Sequence, residues 1–201
     1  MLKLVILISG YKRSGKNTVA SKLTTLLNQS NTSVVSLSFA GPMKQIIATT
    51  FGITLEELEA MKNSDIYELE VATPFRTTYT DFRTILQRFG TEACKPVFGN
   101  NVWSELLYRS ISTSSADVIL VPDYRYDVEV AYLQSKGLPI TTLYIHDSLA
   151  DNGDNHSSEQ LPSVHPDYTI DNTAKDDSIG TAVTSYLSSV RSKLWLYQSM
   201  L

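Results

Sequence analysis

The chain has 201 residues, 42% of them apolar, and a formal net charge of −4. That supplies a domain-sized core, and the acidic balance argues against wrapping nucleic acid or lying on an anionic membrane. The single cysteine, Cys94, excludes an intramolecular disulfide framework, and no apolar run approaches the ~18 residues of a membrane span, so a soluble cytoplasmic protein built as one domain is expected.

Leu4-Val5-Ile6-Leu7-Ile8 is a continuous β-branched and leucine run, suited to a strand buried on both faces. It stops at Gly10. From there Gly10-x-x-x-x-Gly15-Lys16 fits the Walker A spacing, in which backbone N–H groups and a helix N-terminus wrap a polyphosphate and the lysine reaches its outer phosphates. A bare pattern of this kind arises by chance in roughly one chain of this length in fifteen. The strand before it and the helical spacing of Thr18 to Leu27 after it supply the context the motif requires. Where a Ser or Thr hydroxyl normally meets Mg²⁺, this chain has Asn17, with Thr18 just behind. Lys12, Arg13 and Lys16 cluster on the loop of an otherwise acidic protein, as binding a small polyanion requires, although a solvated charge pair also explains Lys12 and Arg13.

A helix is expected from Thr18 to Asn28, with Val19, Leu23, Leu26 and Leu27 on one face, then a strand from Ser33 to Ser38. Phe39-Ala40-Gly41-Pro42-Met43-Lys44 puts a proline at a helix N1 position, and that helix ends near Gly52. Thr54-Leu55-Glu56-Glu57 has the spacing of a capping box. Residues 63 to 79 show no clean period and, with Pro74 among them, read as a loop. Helical spacing returns at Asp81, with Phe82, Ile85, Leu86 and Phe89 on one face and Gly90 as terminator; Arg83 and Gln87, four apart, share another face suited to one ligand. Asn100 to Ile111 is a further helix carrying Trp103, Leu106 and Leu107.

Asp117 to Pro122 reads as a second buried strand, ending in Asp123-Tyr124-Arg125. Charged residues at the carboxyl end of such a strand lie where open α/β sheets bind ligands, although Asp is also an ordinary turn residue. Asp127 to Lys136 is a helix closed by Gly137, and Ile140 to Ile145 a strand. His146 to His165 is polar and aperiodic, the composition of a mobile loop. Tyr168 to Ile170 is a short strand, and Ser178 to Tyr197 a closing helix capped by Asp176 or Asp177. The alternation implies an α/β fold with a mainly parallel sheet and helices on both faces. The three histidines, with Asp151 and Asp154, lack the ligand spacing of a zinc site.

Taken together, these segments resemble the phage-type deoxynucleoside monophosphate kinases, P-loop kinases distantly related to animal phosphomevalonate kinase. Gly10-Tyr11-Lys12-Arg13-Ser14-Gly15-Lys16-Asn17-Thr18 looks like the family's loop, which usually carries Asp where Asn17 stands. Phe39-Ala40-Gly41-Pro42-Met43-Lys44 is similar to its Phe-Ala-Asp-Pro-Leu-Lys, and Arg83-Thr84-Ile85-Leu86-Gln87-Arg88-Phe89-Gly90-Thr91-Glu92 to its Arg-x-Leu-Leu-Gln-x-x-Gly-Thr-Glu. Phe98-Gly99 to Trp103 resembles Phe-Gly-x-x-x-Trp, and His156-Ser157-Ser158-Glu159 a His-x-Ser-Glu lid motif. Asp123-Tyr124-Arg125-Tyr126-Asp127-Val128-Glu129 resembles Asp-Val-Arg-Phe-x-x-Glu, with the acidic position falling on Asp127 or Glu129.

The resemblance implies a P-loop kinase-like three-layer fold around a mainly parallel five-stranded sheet, with an acceptor-binding excursion at about 39–112 and a mobile lid at about 146–165. The implied reaction is ATP- and Mg²⁺-dependent phosphoryl transfer to a deoxynucleoside monophosphate, in a host cytoplasm if the chain is phage-encoded. Read with the motifs, Lys16, Arg83, Asp123 and Arg125 are the candidate catalytic residues. Gly10, Arg13, Ser14, Gly15, Lys16, Asn17, Thr18 and Thr173 are the candidates for ATP, with Asn17 or Thr18 at the metal. Lys12, Phe39, Ala40, Lys44, Arg76, Arg83, Gln87, Trp103, Asp123, Arg125 and Glu129 are those for the acceptor; core packing is the ordinary alternative for Trp103. The expected partner is a small molecule, neither nucleic acid nor membrane, with monomer or homodimer left open. Two other functions fit the same loop: a kinase of another small phosphorylated metabolite such as phosphomevalonate, and a non-catalytic nucleotide-binding module. Asn172 and Thr173, after the last short strand, resemble the family's adenine-side loop, although a helix-capping turn also explains them; Asn172-Thr173-Ala174-Lys175 does not fit the Asn-Lys-x-Asp motif of guanine-specific switches.

Overall fold

Strand β1 (Leu4–Ser9) is buried along its whole length, with Leu4, Ile6 and Ile8 in one apolar cluster and Val5 and Leu7 in another. Alternate side chains leave opposite faces of a strand, so an uninterrupted apolar run means that both faces are covered. The computed structural model describes residues 3–63, 69–73, 76–150, 163 and 165–199. After β1 come α1 (Lys16–Asn28), β2 (Val34–Ser36), α2 (Gly41–Phe51), α3 (Leu55–Asn63), β3 (Leu69–Thr73), β4 (Arg76–Thr80) and α4 (Phe82–Arg88). A π-helical stretch (Phe89–Cys94) leads into α5 (Lys95–Phe98) and α6 (Val102–Thr113). Then follow β5 (Val118–Val121), α7 (Asp127–Ser135), β6 (Ile140–His146), β7 (Tyr168–Asp171) and α8 (Ser178–Ser199). The chain divides into two compact units, Met1–Phe39 with Leu107–Leu201, and Ala40–Leu106.

The first unit is built on a five-stranded sheet in the order β2-β5-β1-β6-β7, every neighbouring pair parallel. On one face, Val19, Leu23 and Leu27 of α1 and Val183, Tyr186 and Leu187 of α8 close over Leu4, Ile6 and Ile8. On the other, Leu107 and Ile111 of α6 and Val130 and Leu133 of α7 close over Val5 and Leu7. This is the three-layer arrangement expected. Each fully buried Leu or Ile contributes roughly 1.5–3 kcal/mol, so the sheet holds the carboxyl ends of β1 and β5 rigidly side by side.

In the second unit, Ile47 and Ala48 of α2, Leu58 of α3 and Phe82 and Leu86 of α4 form a separate core. Helix α2 stops at Gly52, whose φ of 65° suits glycine. The capping box before α3 is present: Thr54 N–H donates to Glu57 Oε2 at 2.7 Å and Glu57 N–H to Thr54 Oγ1 at 3.1 Å. Asp81 Oδ1 accepts from Thr84 N–H at 2.8 Å and starts α4. Cys94 is buried, and burial pushes its thiol pKa up.

Several expectations are corrected. Residues 63–79 are not simply a loop, because β3 and β4 pair antiparallel from Leu69↔Thr80 to Thr73↔Arg76; Thr77, Thr78 and Tyr79 have strand propensity but no apolar alternation to reveal it. Pro74 lies outside the described residues. Gly90 does not end a helix. The chain continues through the π-helical stretch and α5, and stops at Gly99, with φ 93°. At Gly90 a Cβ would lie 2.6 Å from Met43 Sδ, so any side chain there requires the methionine to shift. Helix α1 begins at Lys16, two residues before the expected Thr18, because Gly15 takes the N-cap position at φ 97°. Helix α6 is displaced toward the C-terminus from Asn100–Ile111. No helix among the described residues is long and apolar enough to cross a membrane.

Candidate functional site

The loop between β1 and α1 lies at the carboxyl end of the central strand, the ligand-binding edge of a parallel sheet. Gly10 has φ 150°, and a Cβ there would lie 2.6 Å from Ser14 Oγ and 2.7 Å from the Ile145 carbonyl. Arg13 (φ 67°) and Gly15 (φ 97°) are both left-handed. Turns of this kind bring successive backbone N–H groups to one concave side, which suits an anion. Lys16 Nζ donates to the carbonyls of Gly10 and Tyr11, at 2.7 Å each, so its ammonium lies across the loop it belongs to. Lys12, Arg13, Asn17 and Thr18 are exposed.

Beside it, at the carboxyl end of β5, Asp123 Oδ1 accepts from Phe39 N–H at 3.0 Å. Glu129, in the first turn of α7, turns back so that Oε2 accepts from the N–H groups of both Arg125 and Tyr126, at 2.9 Å each. The Asp123–Arg125 turn is therefore pinned by its own helix start. Asp127 accepts hydrogen bonds from Ser163 N–H and Oγ. Most of the expected lid, 151–162 and 164, with its His156-Ser157-Ser158-Glu159 motif, lies outside the described residues.

The loops after β6 and β7 are joined. Thr173 Oγ1 accepts from Ser148 N–H at 3.1 Å, and Lys175 Nζ lies 3.1 Å from Asp147 Oδ2. Burial alone would raise the Asp147 pKa, but the Leu149 amide and Lys175 hold it below the usual carboxylate range. Asn172, beside the ATP candidate Thr173, is buried and donates from Nδ2 to the Ser14 carbonyl at 2.9 Å, across 158 residues of chain. Its sequence signal is the likeness of Asn172-Thr173 to the family's adenine-side loop, which does not foretell the bond to Ser14.

The second unit brings cations together. Lys44 Nζ lies 2.5 Å from Glu59 Oε1, and Lys62 Nζ lies 3.2 Å from Oε2 of the same carboxylate. Burial would raise Glu59, but Lys44 and Lys62 hold it low; burial, together with the Lys44 and Arg83 charges, lowers the Lys62 pKa. Arg83 and Gln87 are half-buried one turn apart on α4, and Ala40 accepts a backbone hydrogen bond from Lys44. Trp103 Nε1 donates to the Gly90 carbonyl at 3.0 Å, so its indole N–H is engaged within this unit. The backbone places Arg76 at the start of β4.

No family model matches the chain, and no curated protein matches it. Among solved structures, the Thermus thermophilus protein TT1252 is similar over 96% of this chain and 99% of its own, at 16% identity and a TM-score of 0.52. The Mycobacterium tuberculosis APS kinase CysC in complex with AMPPNP and APS has 12% identity over 94% of this chain and 98% of its own, with a TM-score of 0.47. Shikimate kinase from Acinetobacter baumannii, in complex with shikimate, has 12% identity over 96% and 95%, with a TM-score of 0.43. The fold shared with TT1252 is a three-layer α/β fold around a five-stranded parallel sheet, and in this chain a loop of Walker A spacing follows the central strand.

The P-loop residues present fit a polyphosphate with a hard metal ion. Ser14 Oγ is buried without a hydrogen-bond partner among the described residues, and the loop is packed too closely for side chains at its glycines, a Cβ at Gly10 meeting Ser14 Oγ and the Ile145 carbonyl and one at Gly15 meeting Asn172 Nδ2. Asn17 and Thr18 offer side-chain oxygens on the first helical turn, and oxygen is the donor atom that Mg²⁺ takes. Among the described residues no group of three or more His, Cys, Asp and Glu could hold a metal.

Proposed function

We propose that the chain is an ATP- and Mg²⁺-dependent kinase whose acceptor is a deoxynucleoside monophosphate. The observation that carries the reading is the P-loop: two left-handed residues, a glycine cradle and a lysine ammonium resting on loop carbonyls, all at the carboxyl end of the central parallel strand. In the balanced reaction an acceptor phosphate oxygen forms the new P–O bond as the bond to the ADP leaving group breaks, giving a deoxynucleoside diphosphate. Bound ATP supplies the phosphoryl group, and Mg²⁺ neutralises charge.

Such a transfer asks the protein for position and charge rather than covalent help. Lys16 exchanges its two carbonyl partners for phosphate oxygens, and the loop amides donate to the same group. Arg13, Asn17, Thr18 and Thr173 complete the nucleotide side, with Asn17 or Thr18 at the metal. Lys12 and Arg125 hold the acceptor phosphate, Arg125 from a backbone fixed by Glu129. Asp123, anchored to the Phe39 amide, orients the acceptor. Lys44, Arg76, Arg83, Gln87 and Trp103 of the second unit, with Phe39 and Ala40 before them, keep the acceptor role that the resemblance implies.

The deciding experiment is a coupled ADP-release assay with ATP, Mg²⁺ and a panel of the four deoxynucleoside monophosphates, their ribo counterparts and phosphomevalonate. ADP release stimulated by a deoxynucleoside monophosphate is expected, and Lys16→Ala should lower it by about a hundredfold or more. Stimulation by phosphomevalonate alone would change the acceptor. No stimulation by any nucleotide would overturn the proposed acceptor.

A further inference from the structure

The Ser14–Gly15 peptide is free to turn on the Gly15 side, because glycine is indifferent to the sign of φ. Something must hold it. Asn172 is buried, and its Nδ2 donates to the Ser14 carbonyl at 2.9 Å. A trans peptide directs its C=O and N–H oppositely, so holding the Ser14 carbonyl toward Asn172 aims the Gly15 N–H away from it. The two residues are also fitted in volume, since a Cβ on Gly15 would run into Asn172 Nδ2. Asn172 is itself fixed: its N–H donates to the His146 carbonyl at 2.8 Å, and its carbonyl accepts from Lys175 N–H at 3.1 Å. We infer that Asn172 is a positioning residue for triphosphate binding, acting through the peptide plane between Ser14 and Gly15 rather than by touching the nucleotide.

The inference rests on the triphosphate reading of the loop and makes a distinction within it. A residue that reads the nucleoside affects ATP alone, whereas a residue that shapes the loop affects any triphosphate. ATP and inorganic tripolyphosphate, each with Mg²⁺, are titrated calorimetrically into the wild-type chain, Asn172→Ala and Asn172→Asp, well below their melting temperatures. In Asn172→Ala both ligands should weaken by the same factor, about three- to tenfold, the worth of one buried neutral hydrogen bond. Asn172→Asp should weaken both further, because a carboxylate oxygen cannot donate to a carbonyl. If Asn172→Asp does not fold, Asn172→Leu, close in volume and unable to donate, replaces it and should weaken both ligands at least as much as Asn172→Ala. A loss confined to ATP, or a lowered melting temperature with unchanged affinity for both ligands, overturns the inference while leaving the kinase reading intact. A wild-type chain that binds neither ligand overturns the kinase reading and the inference with it.

Discussion

Glu129 acts on the candidate site through main-chain atoms. One carboxylate oxygen receives two N–H groups, those of Arg125 and Tyr126, and charge-assisted bonds of this kind are roughly twice as strong as neutral ones. Glu129→Ala leaves both amides to other partners and should lower stability by about 1–3 kcal/mol, or several degrees in a thermal melt. It should also raise the KM for the acceptor more than that for ATP in steady-state assays. Local features of this kind were partly legible in the sequence. Gly10, Gly15 and Lys16 act through neighbours within a few residues, so spacing revealed them. The role of Glu129 was hidden because its N-cap residue is Tyr126 rather than the Ser or Thr of the usual capping signature. The bond from Asn172 to Ser14 left no pattern, since a contact across 158 residues is created by the sheet and not by the local sequence.

Two features of the second unit make predictions about its elements. At the π-helical stretch, a methyl on Gly90 would displace the far end of the flexible Met43 side chain while alanine is the better helix former, so Gly90→Ala should cost no more than about 1 kcal/mol. Combined with Met43→Ala in a double-mutant cycle by denaturant titration, the two costs should couple by about 0.5 kcal/mol or more. Between α2 and α3, Glu59 has a folded pKa below its ordinary 4.5. The folded state therefore binds fewer protons than the unfolded state, and the stabilisation is present above the unfolded value and lost as pH falls through the folded one. Glu59→Gln should be less stable than wild type at pH 7, by no more than about 1 kcal/mol because the pair is partly in water. The gap should close in acid melts below the carboxylate range. Elements with strong periodicity or cap chemistry, such as the α3 start at Thr54, were readable. The β3–β4 hairpin was not, since its Thr-rich strands show propensity without alternation.

At the scale of the molecule, the alternation of strands and helices was enough to expect a three-layer α/β sheet, because parallel strands covered on both faces must be apolar throughout. The strand order was not readable, since it depends on crossovers that composition does not encode. Leu23 and Leu58 are fully buried in different apolar clusters. Leu23→Ala and Leu58→Ala should each cost about 2–5 kcal/mol, and the double variant should lose their sum within about 0.5 kcal/mol by calorimetry. The lone thiol offers a separate measurement. Cys94 is the only cysteine in the chain, and its sulfur is shut away from water in the second unit. Alkylation then proceeds only as often as that unit opens, so the labelling half-time is a clock for its breathing, with no probe to engineer.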